Sequence, residues 1–482
     1  MKTPGFLTCP IAACPEDLRR LAYADPRAFP VLLDSAATGP LGRYSILAAY
    51  PDAALWQDGH GRLHGTGLAG SPGRHQGFLD ALEELWRRSR FSPESPTAEQ
   101  ALQWESLAGP FQGGWIVYLG YELAAEIEPQ LRLPALSLAD PAPLAFALRV
   151  PAALVYDHVA DRAWSVIESG REDLGQRLHR DLIHAVPSPA IGDPVAPSWR
   201  ALPLEEEDPQ RFGVSVDAAL EHIRAGDIYQ ANLSRCWRAR LAPTSPLADL
   251  NLACAALYER LRRQNPAPFA ALAQFQGWRA LCSSPERLVR VRAGRVETRP
   301  IAGTRPRSRV AGADERELAA LIAHPKERAE HIMLVDLERN DLGRICRPGS
   351  VRADELMTTE SYAHVHHIVS NVCGELNAGL SPIDVLRAVF PGGSITGCPK
   401  FRCMQIIAAL EGEARGAYTG TLGFINHDGS LDFNILIRTI TMDAQALQFR
   451  TGAGIVADSD WRLELQETRA KAHGLLAALG SA

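Results

Sequence analysis

Two acidic stretches, far apart in the chain, carry residue types suited to holding one cation together. The first is AEHIMLVDLERND from Ala329, preceded by Glu327, and the second is ELQETRAK from Glu464. On a helix, steps of three and four residues return to one face. Glu327 and Glu330 then share a stripe with Leu334 and Leu337, and Glu464 and Glu467 share one with Lys471 and Leu475. Carboxylates on apolar stripes are costly unless they are paired or bind a cation. Four of them in two distant segments point to a shared divalent ion. The alternative, surface ion pairs with Arg328 or Lys471, is worth only about 0.2–0.5 kcal/mol per pair.

The chain has 482 residues, 46% hydrophobic and 22% charged, as in an ordinary soluble globular protein. A formal charge of −6 gives no reason to expect nucleic acid. Arg299, Arg305, Arg307 and Arg309 cluster in one loop, but no aromatics are interleaved for base stacking. The longest apolar run, Leu144 to Tyr156, is broken by Arg149 and Pro151, so no membrane span is expected. Lys2 is followed by Pro4 and Gly5 and not by a signal-peptide core, which makes the cytoplasm the expected location. Nine cysteines without a C-x-x-C pair fit a reducing compartment and read as packing residues.

The elements that must position the acids follow from periodicity and punctuation. Residues 1–186 mix short alternating segments with Gly/Pro turns: FPVLLDSA, GRYSILAAYP and the apolar part of GPFQGGWIVYLGYELA read as strands, and Gly77 to Arg87 as an amphipathic helix. Residues 187–210, rich in proline, read as a linker or topological join. From 211 to 478, helices are expected at Val214–Ala225, Asp249–Gln264, Asp314–Ala323, Pro325–Gly343, FRCMQIIAALEG and the C-terminus. Strands are expected at DIYQANLSRCWRARL, ALAQF, ALCSSPERLVRVRAG, GTLGFI, LDFNILIRTI and LQFRTGAGIVAD, with ETRPIAGTRPR as a constrained loop. AHVHHIVSNVCGEL is a further strand, with His364 and His366 on one face and His367 on the other.

Several segments occur in an order that resembles the chorismate-utilising enzymes, the family of anthranilate synthase component I, aminodeoxychorismate synthase component I, isochorismate synthase and salicylate synthase. They are GDIYQANLSR, SSPERL, RPIAGTRPR, ERAEHIMLVDLERNDLGR, VHHIVSNVCGEL, GGSITGCPK, GTLGFI, NILIRT and TGAGIVADSDWRLELQETRAKA. LLDSA, GRYSIL and FQGGWIVYLGYE extend the likeness to the N-terminal half of the amine-forming members. The resemblance implies an α+β fold with large antiparallel sheets packed face to face and helices outside, the N-terminal half adding strands to the same body.

The resemblance also implies roles. Glu330 and Glu467 would hold Mg²⁺, with Glu327 and Glu464 one turn away as direct or water-mediated partners, in the all-oxygen setting that magnesium prefers. Glu286 would protonate the departing ring hydroxyl; read alone, it is equally a strand-end partner of Arg287. His367 would lie at the ring, although a strand histidine is more often a satisfied core residue. Arg438 and Lys471 would bind substrate carboxylates, with Tyr418, Thr396, Gly397 and Lys400 around the substrate. Gly452, Ala453 and Gly454 would bring backbone N–H groups to a carboxylate.

Gln230 stands where the water-adding members have a lysine base, which favours an ammonia user. Ala302, beside Thr304, departs from the P-I-K-G-T of aminodeoxychorismate synthases and matches anthranilate synthase; a methyl group cannot be a nucleophile. Against this, Thr396 in SITG and Asn434 in FNILIRT resemble the aminodeoxychorismate type. The expected enzyme is therefore component I of an aminodeoxychorismate synthase, serving para-aminobenzoate and folate synthesis, with anthranilate synthase as the alternative and a non-catalytic binder as a third reading. Ammonia would come from a separate glutamine amidotransferase subunit, since no G-x-C-x-G nucleophile motif is present. Tryptophan in the N-terminal half stays open, LLDSA lacking the L-L-E-S pattern of a feedback site.

Overall fold

The computed structural model describes residues 5–37, 39, 41–68, 77–90, 109–136, 142–184, 204–241, 247–307, 312–323, 325–361 and 365–480. Most of the proline-rich join, 187–203, lies outside the described residues, as does His364.

Two large sheets, antiparallel at every pairing among the described residues, run through both halves of the chain. The first is ordered Phe6–Ile11, Arg162–Glu168, Ala152–Asp157, Tyr44–Ala49, Val31–Asp34, Phe269–Phe275, Trp278–Ser284, Thr439–Met442, Ala446–Ile455, Gln230–Arg240, Glu205–Glu206. The second is ordered Ile301–Pro306, Val365–Glu375, Arg295–Thr298, Arg287–Arg292, Leu431–Asn434, Thr421–Asn426, Gly114–Leu119, Ala145–Val150, Ala53–Gln57, Leu63–Thr66. The halves join by direct strand pairing, with Leu33 opposite Ala271 in one sheet and Val117 opposite Gly423 in the other.

Alternation along the strands explains the layers. Ile46 points into the apolar core between the sheets with Val31, Tyr118, Phe146 and Leu436. Its neighbour Leu47 faces outward, onto helices carrying Leu18, Leu178, Leu261 and Leu475. The other sheet's outer face buries Val117 and Val289 against Phe78, Leu82, Leu342 and Leu386, also from helices. The fold is therefore α+β, with sheets face to face and helices outside. Among the described residues no helix is long and apolar enough to cross a membrane.

The Pro325–Gly343 helix has the expected bounds, and the last helix runs Trp461–Leu479. Three expectations change. ALCSSPERLVRVRAG and LDFNILIRTI each read as one strand, but each is cut and passes from one sheet to the other, at Pro285–Glu286 and at Ile435–Arg438. ETRPIAGTRPR is not a loop: Ile301–Pro306 pairs with Val365–Glu375, the register shifting between Ala302 and Thr304 around Gly303. A left-handed glycine in a bulge lets the chain kink and still pair. Cys9 and Cys14 are exposed, so they are not packing residues. Of the arginine cluster, Arg299 pairs with Glu355 and Glu360, and Arg307 with Asp314.

Candidate active site

The two sheet-crossing links lie side by side and carry the first pair of functional groups. Glu286 accepts the Ile435 N–H on its carbonyl (3.0 Å), while Ser283 N–H donates to the Arg438 carbonyl (3.1 Å). Pro285 forces the first link out of the ladder, because proline has no N–H to donate. Arg438, at φ 50°, holds a left-handed conformation that a non-glycine residue adopts at a cost, a feature that clusters at functional sites.

The Glu286 carboxyl is buried and accepts the Ser394 hydroxyl at 2.7 Å. Burial pushes its pKa up to about 7, against the pull of the Ser394 hydroxyl, the Ile301 backbone and the positive charges of Lys471 and Arg438. It therefore sits near the midpoint of titration at neutral pH, where a carboxyl can serve as a proton donor. The Arg438 guanidinium is lowered by burial, with Glu286 acting in the opposite sense. His367 is buried and drops to about 3, chiefly by burial and then by the Arg438 charge, despite a hydrogen bond with the Gly303 backbone. Its imidazole is neutral at physiological pH.

A second group forms where the Pro325–Gly343 helix faces the strands Gln230–Arg240 and Ala446–Ile455. Gln230 Nε2 donates to Glu330 Oε1 at 2.7 Å. This contact needs Gly454: a Cβ there would stand 2.4 Å from Gln230 Nε2 and 3.2 Å from Glu330 Oε1. The Glu330 pKa is raised by burial and by the like charges of Glu327 and Glu467, with the Gln230 amide and Lys471 opposing. Lys471 Nζ bridges Glu467 (2.7 Å) and the Gly452 carbonyl (3.0 Å). The Tyr418 hydroxyl closes over the same glycine, 2.6 Å from where a Gly452 Cβ would stand. Gly303, at φ 73°, admits the Glu327 carboxylate to within 2.9 Å of its Cβ position.

The structure thus brings together Gln230, Glu327, Glu330, Gly452, Gly454, Glu467, Lys471 and Tyr418, electrostatically coupled through Lys471 to Glu286 and Arg438. Ala453 is buried between Gly452 and Gly454, opposite Leu233. Glu464 is buried one turn before Glu467, whereas Glu467 and Lys471 are nearly half exposed and form the i,i+4 surface ion pair weighed as the alternative, so this part of the expected stripe is not buried. Among the described residues no three His, Cys, Asp or Glu side chains form a ready-made metal cage. The donor set is nonetheless oxygen-only and carries like-charge repulsion at Glu330. That chemistry fits Mg²⁺, which keeps several waters and relies on one or two carboxylates plus its substrate.

Other expected residues take different positions. Thr396 is buried, its hydroxyl donating to the Gly392 carbonyl (2.8 Å) and closing the turn, and Gly397 pairs with Ala231. Lys400 is drawn to Asp341 (2.5 Å) and the Val389 carbonyl (3.2 Å), away from the Glu330 group. Asn434 bridges strands, its Oδ1 accepting the Leu422 N–H at 3.0 Å. Ala302 and Thr304 lie opposite Ile368 and His367 in the ladder, and their side chains fall outside the described residues.

Sequence reasoning missed Ser394, the hydroxyl on Glu286, and Glu338, a buried carboxyl raised by burial and by Asp341. A serine in a Gly-Gly-Ser turn is an ordinary turn residue, and Glu338 lies among the charges of ERND, so neither gives a local signal. Between the sheets lies a separate cavity of about 570 Å³, lined by Asp34, Tyr44, Trp164, Phe269, Arg287 and Asn434 among others.

Comparison with known proteins places the chain in a family. The family profile described as chorismate binding enzyme matches residues 63–477. Aminodeoxychorismate synthase component 1 of Bacillus subtilis is 40% identical over 379 residues, 77% of this chain and 77% of that relative. Anthranilate synthase component 1 of Streptomyces coelicolor is also 40% identical, over 395 residues, 77% of this chain and 73% of the relative. The crystal structure of anthranilate synthase component I from Streptococcus pneumoniae superposes with a TM-score of 0.74 at 31% identity, covering 91% of this chain and 93% of that one. Matched along most of its length by a family profile, by relatives and by a solved fold, the chain belongs to the chorismate binding enzyme family.

Proposed function

We propose that this chorismate-utilising enzyme, of the anthranilate synthase I and aminodeoxychorismate synthase type, is component I of an aminodeoxychorismate synthase. It would aminate chorismate to 4-amino-4-deoxychorismate in the cytoplasm, for para-aminobenzoate and folate synthesis. Amination in preference to hydroxylation is supported by one observation above all: position 230 presents a neutral amide already bound to Glu330, not a base that could activate water. Ammonia carries its own lone pair and needs no such base. Carbon four is supported by Thr396 and Asn434, whereas the relatives at 40% identity include both activities and favour neither. Ala302 favours a second reading, anthranilate synthase component I, in which ammonia adds at carbon two.

In this reading Lys471 and Arg438 bind the substrate carboxylates, one as a point charge and one as a planar fork. The Gly452–Gly454 backbone and the Tyr418 hydroxyl border the same space. Glu286, held by Ser394, gives its proton to the hydroxyl leaving the ring as the nitrogen lone pair attacks. Neutral His367, within the influence of the Arg438 charge, adds no second positive charge there. Glu330 and Glu467, with Glu327 and Glu464 behind them, would hold Mg²⁺, which when bound supplies charge neutralisation at a carboxylate. A glutamine amidotransferase subunit would deliver ammonia, and free ammonium would replace it. Incubation with chorismate, Mg²⁺ and an ammonium salt tests the proposal: ammonium-dependent loss of chorismate supports it, and chorismate stable in that mixture counts against it.

A tryptophan ligand of the N-terminal half would have the inter-sheet cavity as its space. The carboxylates lining that cavity are engaged, however. Asp34 is taken by Arg262 (2.5 Å), Ser45 and Tyr258, and Asp432 by a two-point contact with Arg287 (2.9 and 3.0 Å). The third, Asp428, accepts the Ser430 N–H and hydroxyl through one oxygen (2.8 and 2.5 Å), and burial raises its pKa, which disfavours it as an anionic receptor for an ammonium group. Saturating tryptophan is accordingly expected to leave kcat/KM for chorismate unchanged in a steady-state assay; a several-fold fall would show that an engaged carboxylate gives way.

A further inference from the structure

Arg415 has no role in the chemistry above, yet it is almost fully buried on the turn after the Lys400–Glu411 helix, and it spends its guanidinium on segments that border the substrate space. Nη2 donates to the Asn232 carbonyl (2.6 Å), on the residue paired with Gly454. Nη1 donates to the Ile395 carbonyl (3.1 Å), next to Thr396, and reaches the Thr419 hydroxyl (3.4 Å), next to Tyr418. Nε and Nη2 form a two-point contact with Glu411 (3.0 and 2.6 Å). Glu411 in turn accepts the Ser234 N–H and hydroxyl (2.8 and 2.9 Å), Ser234 being the residue paired with Gly452. The guanidinium carbon lies 4.9 Å from the Tyr121 ring centre and 5.5 Å from that of Tyr418.

The turn carrying Arg415 is anchored from the N-terminal half. Glu122 is buried, and its two oxygens accept the backbone N–H groups of Arg415 (2.6 Å) and Gly416 (3.0 Å). Glu122 follows the strand Gly114–Leu119, which pairs with Thr421–Asn426 just beyond that turn. One arginine therefore ties the Gln230 strand, the Ile395–Thr396 turn and the Tyr418–Thr419 turn to each other, and one glutamate ties that arginine to the other half of the chain.

We propose that Arg415 is a positioning residue that sets the spacing of the substrate-carboxylate contacts, and that Glu122 makes this setting depend on the N-terminal half. The inference rests on the chorismate reading of the site. A purely structural ion pair would leave substrate affinity intact in any variant that folds. A positioning network would not, because its five N–H donors in a fixed plane cannot be reproduced by an ammonium group.

The test uses Arg415→Lys and Glu122→Gln in the full chain. Chorismate binding is read by equilibrium dialysis with Mg²⁺ and no ammonium, and KM and kcat are read with ammonium. Arg415→Lys is expected to raise Kd and KM about tenfold with kcat within about twofold, the signature of lost uniform binding. Glu122→Gln keeps one acceptor of two and is expected to raise both about threefold. Cooperatively melting variants with unchanged Kd and KM would overturn the proposal, as would a loss confined to kcat. If Arg415→Lys does not fold, Glu122→Gln decides by the same criteria. Wild-type protein that binds no chorismate would instead overturn the functional reading, and the inference with it.

Discussion

Exchanging Glu286 for Gln is expected to lower kcat for chorismate amination by about 10²–10⁴-fold, the range supplied by a positioned general acid. Hydroxide is a poor leaving group, and among the groups gathered at the site Glu286 is the carboxyl poised near 7. Glutamine is nearly isosteric and its amide oxygen can keep the Ser394 hydroxyl, so KM and the melting transition should move little. The pH profile supplies the control. The donor must be protonated, and its pKa is raised by burial, so the competent form is fully present well below pH 7 and is lost as pH rises through about 7. At fixed NH₃ concentration, wild-type kcat/KM should descend above that point, because this parameter reports the free enzyme. The residual activity of the variant should lack that limb. A variant with robust kcat, or one keeping the same alkaline limb, would remove Glu286 from the proton-donor role.

Exchanging Glu330 for Gln should abolish turnover, a loss of at least about 10³-fold if the carboxylate anchors a cation worth several kcal/mol to the transition state. The fold should survive. Glu330 is already disfavoured as an anion by burial and by Glu327 and Glu467, so a neutral amide relieves repulsion and can still accept from Gln230. Melting in the absence of metal should be unchanged or slightly higher. The separating measurement is the Mg²⁺-induced rise in melting temperature, present in the wild type by mass action and absent in the variant. Substantial activity in the variant, or an undiminished Mg²⁺ shift, would rule out Glu330 as a metal anchor.

The helices that carry the acids were legible because their caps and stripes are local: Pro325 opens one helix, and Asp460 caps the other by accepting the Arg462 and Leu463 N–H groups. Glu330 and Gln230 were each singled out from the chain, but their 2.7 Å contact spans 100 residues and depends on Gly454 having no side chain. The sheet crossings were not legible. ALCSSPERLVRVRAG reads as strand on both sides of Pro285, with Leu281 and Cys282 before it and alternating Val289 and Val291 after it, and periodicity cannot tell a strand that continues from one that changes sheets. Two shorter misses have similar causes. Arg352–Ser361 is an exposed strand with no alternation of burial, and Pro382–Val389 is an eight-residue helix whose Ser381 capping box alone announces it. Arg415 and Glu411 give no local signal in the sequence, and only the folded chain reveals both as buried, Arg415 among backbone carbonyls and Glu411 against Arg415 and Ser234.

One product analysis tests the position of the new nitrogen directly. Protein, chorismate, Mg²⁺ and ¹⁵N-ammonium are incubated together, and the product is separated and its nitrogen located by NMR. Label on ring carbon four, in 4-amino-4-deoxychorismate with its enolpyruvyl group retained, is the expected result. Label on carbon two, in anthranilate with pyruvate released, would contradict it and would make Ala302 a better guide to this enzyme's chemistry than Thr396 or Asn434.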